Sequence, residues 1–183
     1  MIDDLVTSWI GGGYRHINAE SNRDILDFSY AGQFPDNRWN APGQPALYFA
    51  GDIGVAIAEW GRRFPVSFDT DALKPATRDV YRLQFRFDAV LDLSNPEIIR
   101  QLHIPDAPTA FRDKLMTRSL ATQIRHSTRA QAMLVPSIAF LDDLTRWNLV
   151  VFLDKMPEPT ASWITKVERV GPLAWNPNQH PSC

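Results

Sequence analysis

The sequence predicts an α+β fold, and three observations carry that prediction. Residues 81–87 (Tyr-Arg-Leu-Gln-Phe-Arg-Phe) alternate apolar and polar side chains strictly, as a strand with one buried face requires. Residues 52–64 instead place Ile53, Ile57, Trp60 and Phe64 on one helical stripe, with Asp52 where an N-cap belongs. Strand signals precede a group of helices and return after it, whereas a doubly wound parallel sheet would alternate strand and helix throughout.

Taken in order, Gly11-Gly12-Gly13 reads as a flexible lead-in to a strand. It lacks the later glycine of a dinucleotide fingerprint and the Lys-Ser/Thr of a phosphate loop. Residues 46–50 form a short apolar strand after a turn-rich stretch, and the helix of 52–64 follows. Residues 81–87 and 90–93 are predicted as two strands. A second helix starts near Pro96, with Ser94 or Asn95 as cap and proline at a tolerated first-turn position. A third helix is expected over 109–128, with Leu115, Leu120 and Ile124 facing inward. The last strands are expected at 131–135, 147–153 and 163–170. The Pro-rich stretches 104–110 and 156–161 read as loops, so 1–183 is expected to be a single domain.

Composition narrows the function. The chain has 183 residues and a formal net charge of -2, with no global field to draw it onto nucleic acid or an anionic membrane. Residues 1–71 carry ten acids and five bases, whereas 72–156 carry nine acids and twelve bases. Arginine outnumbers lysine fifteen to four, which reflects base composition most simply and phosphate recognition as the alternative. The only cysteine is Cys183, which excludes an internal disulfide and a thiolate metal cluster and points to a reducing compartment. Acids stand at Asp3 and Asp4 where a signal peptide needs basic residues. The longest aliphatic run, 149–153, falls far short of the roughly 18 residues of a membrane span. A soluble, cytoplasmic protein is expected. The histidines His16, His103, His126 and His180 show no i, i+4 pair, so no metal site is expected. Ser137 lacks a nucleophile elbow, which argues against a hydrolase triad.

What remains is a set of polar residues in apolar or turn contexts: Tyr14-Arg15, Arg38-Trp39-Asn40 before Pro42-Gly43, Leu47-Tyr48, Glu59, and Pro136-Ser137. In that order, over about residues 13–155, they resemble the RES domain, the toxin half of bacterial RES–Xre toxin–antitoxin pairs. The pattern departs from the family at Asn37, where a glycine is usual, and after Ser137, where Asn148 is followed by a continuous apolar strand. The resemblance implies an ADP-ribosyltransferase-like split sheet with surrounding helices, and an enzyme that cleaves NAD at the nicotinamide–ribose bond. Phosphate or water would be the acceptor, making it an NAD phosphorylase or NAD glycohydrolase. A protein acceptor, or an inactive module that only binds a partner, are the alternatives. NAD is then a substrate, and no resident cofactor is implied.

The resemblance assigns Glu59, Arg15 and Ser137 to catalysis, and Tyr14, Arg38, Asn40 and Tyr48 to NAD binding. The chemistry suits these residue types. Breaking the bond leaves an oxocarbenium-like ribose, which a carboxylate at Glu59 stabilises, while nicotinamide departs neutral and needs no general acid. Arg15 and Arg38 offer fork-shaped donors to phosphates, Tyr48 and Tyr14 offer aromatic faces to a flat cationic ring, and Ser137 offers a short donor to a phosphate or carboxamide. Taken singly the residues read differently. Glu59 lies off the apolar stripe with Arg62 and Arg63 at i+3 and i+4, the arrangement of a surface salt bridge. Only the ordered combination favours function. The family also implies a neutralising partner, either an Xre-type antitoxin or the immunity protein of an injected effector. It leaves a homo-oligomer open.

Overall fold

Tertiary organisation follows from two strands that bury both faces. The computed structural model describes residues 2–62 and 76–175. Its strands are β1 (Thr7–Asn18), β2 (Ala46–Ala50), β3 (Ala76–Asp92), β4 (Ala132–Pro136), β5 (Trp147–Phe152) and β6 (Ile164–Trp175). The helices are α1 (Ile53–Gly61), α2 (Pro96–Gln101) and α3 (Lys114–Ser127). The α+β class expected from the sequence is the one observed.

The sheet order is β1-β2-β5-β4-β3-β6, with β1 also paired to β3. The long β3 serves both halves of the sheet. Its first part runs antiparallel between β1 and β6, and its last residues, Val90–Asp92, run parallel to β4. One residue pair, Tyr14 with Ala50, joins β1 to β2. The halves β1-β3-β6 and β2-β5-β4 enclose a core of Leu47, Phe49, Leu83, Phe85, Phe87, Leu149, Val151 and Trp163. Phe85 lies edge-on to Phe49 at 4.7 Å and stacks on Phe87 at 5.7 Å, geometries in which aromatic rings gain beyond simple burial.

The opposite faces of β4 and β5 supply Met133, Val135, Val150 and Phe152 to a second core under α3. This double burial explains why 149–152 is a continuous apolar run and not an alternating one. Helix α3 lays Thr117, Ala121, Ile124 and Arg125 on that core. The buried Arg125 is ion-paired with Asp154 and donates to the Pro45 carbonyl at 3.0 Å. Helix α2 begins at Pro96, with Asn95 rather than Ser94 as the cap, accepting from the Glu97 N–H at 2.9 Å.

Four expectations are corrected. Gly11-Gly12-Gly13 is inside β1, opposite Phe85, Gln84 and Leu83, because close packing needs glycine there. A Cβ on Gly13 would lie 2.9 Å from Phe49 Cβ, and one on Gly11 would meet the Trp9 ring at 2.4 Å. The strands expected at 81–87 and 90–93 are one. Asp88 does not break them, because the Gln131 side chain accepts its backbone N–H at 2.9 Å where β3 passes towards β4. The helix expected from 109 is a 3-10 turn at Thr109–Arg112 followed by α3, since Asp113 is extended and caps the Leu115 and Met116 N–H groups. Leu115 is 77% exposed. It lies nine residues from Ile124, about 180° around a helix of 3.6 residues per turn, so both cannot face inward. Phe64, the last residue of the expected α1 stripe, lies outside the described residues. No helix among the described residues is long and apolar enough to cross a membrane.

Gly13→Ala should destabilise the protein by about 1–3 kcal/mol through overpacking between β1 and β2. Urea unfolding with an unchanged m-value and a lower midpoint is the expected result. A wild-type midpoint would show that these strands move apart freely.

Candidate active site

Asp52 caps α1 by accepting the Val55 N–H at 2.8 Å, and Arg146 grips the same carboxylate at 3.3 Å. The Arg146 guanidinium also sits 3.9 Å over the Phe140 ring. Helix α1 is thereby fixed against the segment that follows β4. Val55 and Ala56 pack on Ala50, Tyr14 and Phe140. Glu59, off that apolar stripe, turns its carboxylate to the same segment.

There the chain leaves β4 at Pro136, and Ser137 caps a 3-10 turn at Ile138–Phe140. One carboxylate oxygen, Glu59 Oε1, accepts three bonds: from Ser137 Oγ at 2.6 Å, from the Ile138 N–H at 3.0 Å and from Asn148 Nδ2 at 3.3 Å. Ser137 is fully buried, and its Oγ accepts the Ala139 N–H at 3.3 Å while donating to Glu59. Its backbone N–H reaches the Arg146 carbonyl at 2.8 Å. Glu59 Oε2 accepts no bond from any described residue. A carboxylate tied through one oxygen keeps a fixed aim for the other. Arg62 does not pair with Glu59 but donates to the Ile138 carbonyl at 3.5 Å, so the surface salt bridge that α1 spacing suggests is absent among the described residues.

A second group is built from the segment before β2. Tyr48 donates to Asn40 Oδ1 at 2.7 Å, and its hydroxyl oxygen accepts the Trp39 N–H at 2.9 Å. Asn40, 1% exposed, closes the turn by donating to the Ala41 and Gln44 carbonyls at 3.1 and 3.0 Å. Gly43 there has φ 82, which favours glycine. Asn37 is not left-handed; among the described non-glycine residues only His103 and Asp106 have positive φ. Helix α3 pins the segment from outside, through Lys114 to Asp36 at 2.6 Å, Arg118 to the Asn37 carbonyl at 2.7 Å and Thr117 to the Arg38 carbonyl at 3.1 Å. Arg38 Nη1 donates to the carbonyls of Phe111 and Arg112 at 3.0 and 2.7 Å. Burial pushes the Arg38 guanidinium below its ordinary pKa and the positive charge of Arg62 adds to this, while Glu59, Asp36 and Tyr48 oppose it.

The expected residues do not all converge. Glu59 and Ser137 are in direct contact, and Arg38, Asn40 and Tyr48 form the adjoining group. Tyr14 packs beside α1 with Ala50 and Phe140. Arg15, its neighbour in β1, faces the other side of the sheet, as alternation in a strand requires. It donates to the Ile25 carbonyl at 3.1 Å and lies 5.3 Å over the Phe28 ring. Burial lowers its pKa and nearby Asp27 partly restores it. Asn148 and Arg62 were missed as site residues. A polar side chain near the start of the apolar strand β5 was the available signal for Asn148. Arg62 was legible only as the residue one helical turn after Glu59.

Residues 14–176 match the RES domain. Among solved structures, the chain is similar to the toxin in the crystal structure of the M. tuberculosis MbcT-MbcA toxin-antitoxin complex. The TM-score is 0.62 and the identity 20%, over 97% of this chain and 91% of that one, which establishes a common fold. No curated protein matches.

Ser137→Ala leaves the half-buried Glu59 Oε1 and Ala139 N–H each short of a partner beside a fully buried position. A loss of about 1–3 kcal/mol of unfolding free energy is expected. An unfolding midpoint equal to wild type would show that the hydroxyl does not hold Glu59.

Proposed function

The chain belongs to the RES domain family, and from that premise we propose that it is an NAD-degrading toxin that cleaves the nicotinamide–ribose bond, with phosphate or water as acceptor. The observation that carries this reading is Glu59, whose Oε1 is held by Ser137, the Ile138 N–H and Asn148. Its other oxygen is thereby oriented for a ligand. A carboxylate so fixed stabilises the positive charge that develops on the ribose as nicotinamide leaves, without reorganising at the moment of reaction.

The remaining residues take roles that fit their partners. Ser137 is a positioning residue for Glu59, since its proton is already given to that carboxylate. Tyr48 uses its hydroxyl to hold Asn40 and Trp39, so what it offers a nicotinamide is its ring. Asn40 maintains the turn that presents Arg38, and Arg38 meets the phosphates. Tyr14 lines the site beside α1. Arg15 anchors the 25–28 segment through Ile25 and Phe28, and so shapes the opposite wall. Such an enzyme exhausts NAD in the cytosol of the cell that holds it and requires a neutralising partner. The likeness to a toxin crystallised with its antitoxin supports a protein in that role.

The test is nicotinamide release from NAD by purified protein, with and without inorganic phosphate, beside Glu59→Gln. The variant keeps the shape of the side chain and is expected to be slower by about 10²-fold or more. No release from folded wild-type protein would overturn the proposal. Transfer of labelled ADP-ribose to a polypeptide would change the acceptor.

A further inference from the structure

Three consecutive residues, where the chain enters β5, each hold a different part of the site. The Arg146 carbonyl accepts the Ser137 N–H at 2.8 Å, the Trp147 carbonyl accepts the Gly51 N–H at 2.8 Å, and Asn148 donates to Glu59 at 3.3 Å. The Arg146 side chain adds a fourth tie, made at the opposite end of α1 from Glu59. Its Nη2 lies 3.3 Å from Asp52 Oδ1, the same oxygen that accepts the Val55 N–H and so caps the helix. Its guanidinium lies 3.9 Å over Phe140, in the 3-10 turn that Ser137 caps. One side chain therefore clamps α1 to the Ser137 turn. To reach Asp52 it crosses the backbone of Gly54. A Cβ there would lie 2.5 Å from Arg146 Nη2 and 3.0 Å from Asp52 Oδ1, so a larger residue would displace the arginine. Gly54 is in the first turn of a nine-residue helix and has no positive φ, so backbone conformation does not call for glycine; room for Arg146 does. Arg146 Nε is buried with no partner among the described residues, so the clamp contributes less to stability than its contacts suggest.

We propose that Arg146 is a positioning residue of the reaction, which seats α1 against the Ser137 turn across the bare backbone of Gly54 and so sets the aim of Glu59 Oε2; this rests on the reading of the chain as an NAD-cleaving enzyme. Arg146 acts through the helix and not by a bond to Glu59. The donors on Oε1 fix one atom of the carboxylate, and the Glu59 backbone, placed by α1, fixes the line along which Oε2 extends. Glu59 stands seven positions after Asp52, a rise of about 10 Å along the helix. A tilt of about 6° at the capped end moves the carboxylate by about 1 Å, a misplacement that can cost a rate about 10²-fold.

The experiment measures initial rates of nicotinamide release at varied NAD for wild type, Arg146→Ala, Arg146→Lys, Asp52→Asn and Gly54→Ala, with urea unfolding to confirm that each is folded. Arg146→Ala should lower kcat about tenfold or more while changing KM for NAD by less than about twofold. Arg146→Lys should recover part of that loss, since it keeps the charge but not the planar group over Phe140. Asp52→Asn still caps the helix and isolates the ion pair; kcat should fall here too. Gly54→Ala keeps every charge and favours the helix, yet should lower kcat by pushing Arg146 off Asp52, and it carries the same test if Arg146→Ala fails to fold. In a Glu59→Gln background, Arg146→Ala should change kcat by less than about twofold, whereas a general loosening of the fold would slow that background as well. A wild-type kcat in folded Arg146→Ala would overturn the proposal, as would an equal loss with and without Glu59→Gln, and NAD cleavage itself would then stand. Absence of any release by wild type would instead bring down the enzymatic reading, and this inference with it.

Discussion

Burial of β4 and β5 on both faces is the constraint on which the rest of the molecule depends. Leu149 and Val151 face the core between the two sheet halves, and Val150 and Phe152 face the core under α3. A strand buried twice has no face left for polar side chains. Its polar residues are displaced to the ends, where backbone groups also lose their sheet partners and need new ones. Ser137 follows the end of β4 and Asn148 stands near the start of β5, in strands that pair antiparallel. The two polar ends therefore come together at one edge of the core, and the carboxylate of Glu59 satisfies both.

That convergence makes the candidate site both a structural knot and a chemical device. Glu59 joins α1 to a segment 78 positions away in sequence through Ser137, and to Asn148 through a separation of 89. A buried serine hydroxyl and a backbone N–H would each be costly to leave unpaired, so packing itself fixes where the carboxylate sits. Preorganisation of this kind is what a reaction that develops positive charge on a sugar requires. The second group works by the same economy: Tyr48, Asn40 and Trp39 satisfy one another, and the segment they stiffen is held from outside by Lys114, Thr117 and Arg118. The segment that carries Arg38 is thereby left with little conformational freedom.

Much of this was legible in advance, and the reasons are physical. Strands with one exposed face, such as 81–87, announce themselves by alternation, and caps such as Asp52 and Asn95 act over two or three residues. Features governed by distant neighbours were not legible. Gly11 and Gly13 look like a flexible tract until the Trp9 ring and Phe49 are seen to occupy the space a side chain would take. Leu115 looks like a core residue until Asp113 restarts the helix and turns it to solvent. Among the site residues, Ser137 was identified by family pattern as a donor to ligand, but its proton goes to Glu59. Arg15 was grouped with Glu59 and lies on the other face of β1.

Local periodicity and an ordered set of motifs were enough to give the α+β class, the order and type of most elements, and the RES membership of the chain. That Glu59 is held through one oxygen and that Asn148 belongs beside it could be seen only in three dimensions. Hydrogen bonds between residues 70 to 90 positions apart leave no periodic trace in a single chain. The donors that complete a half-buried carboxylate become identifiable only once the sheet has brought them within reach.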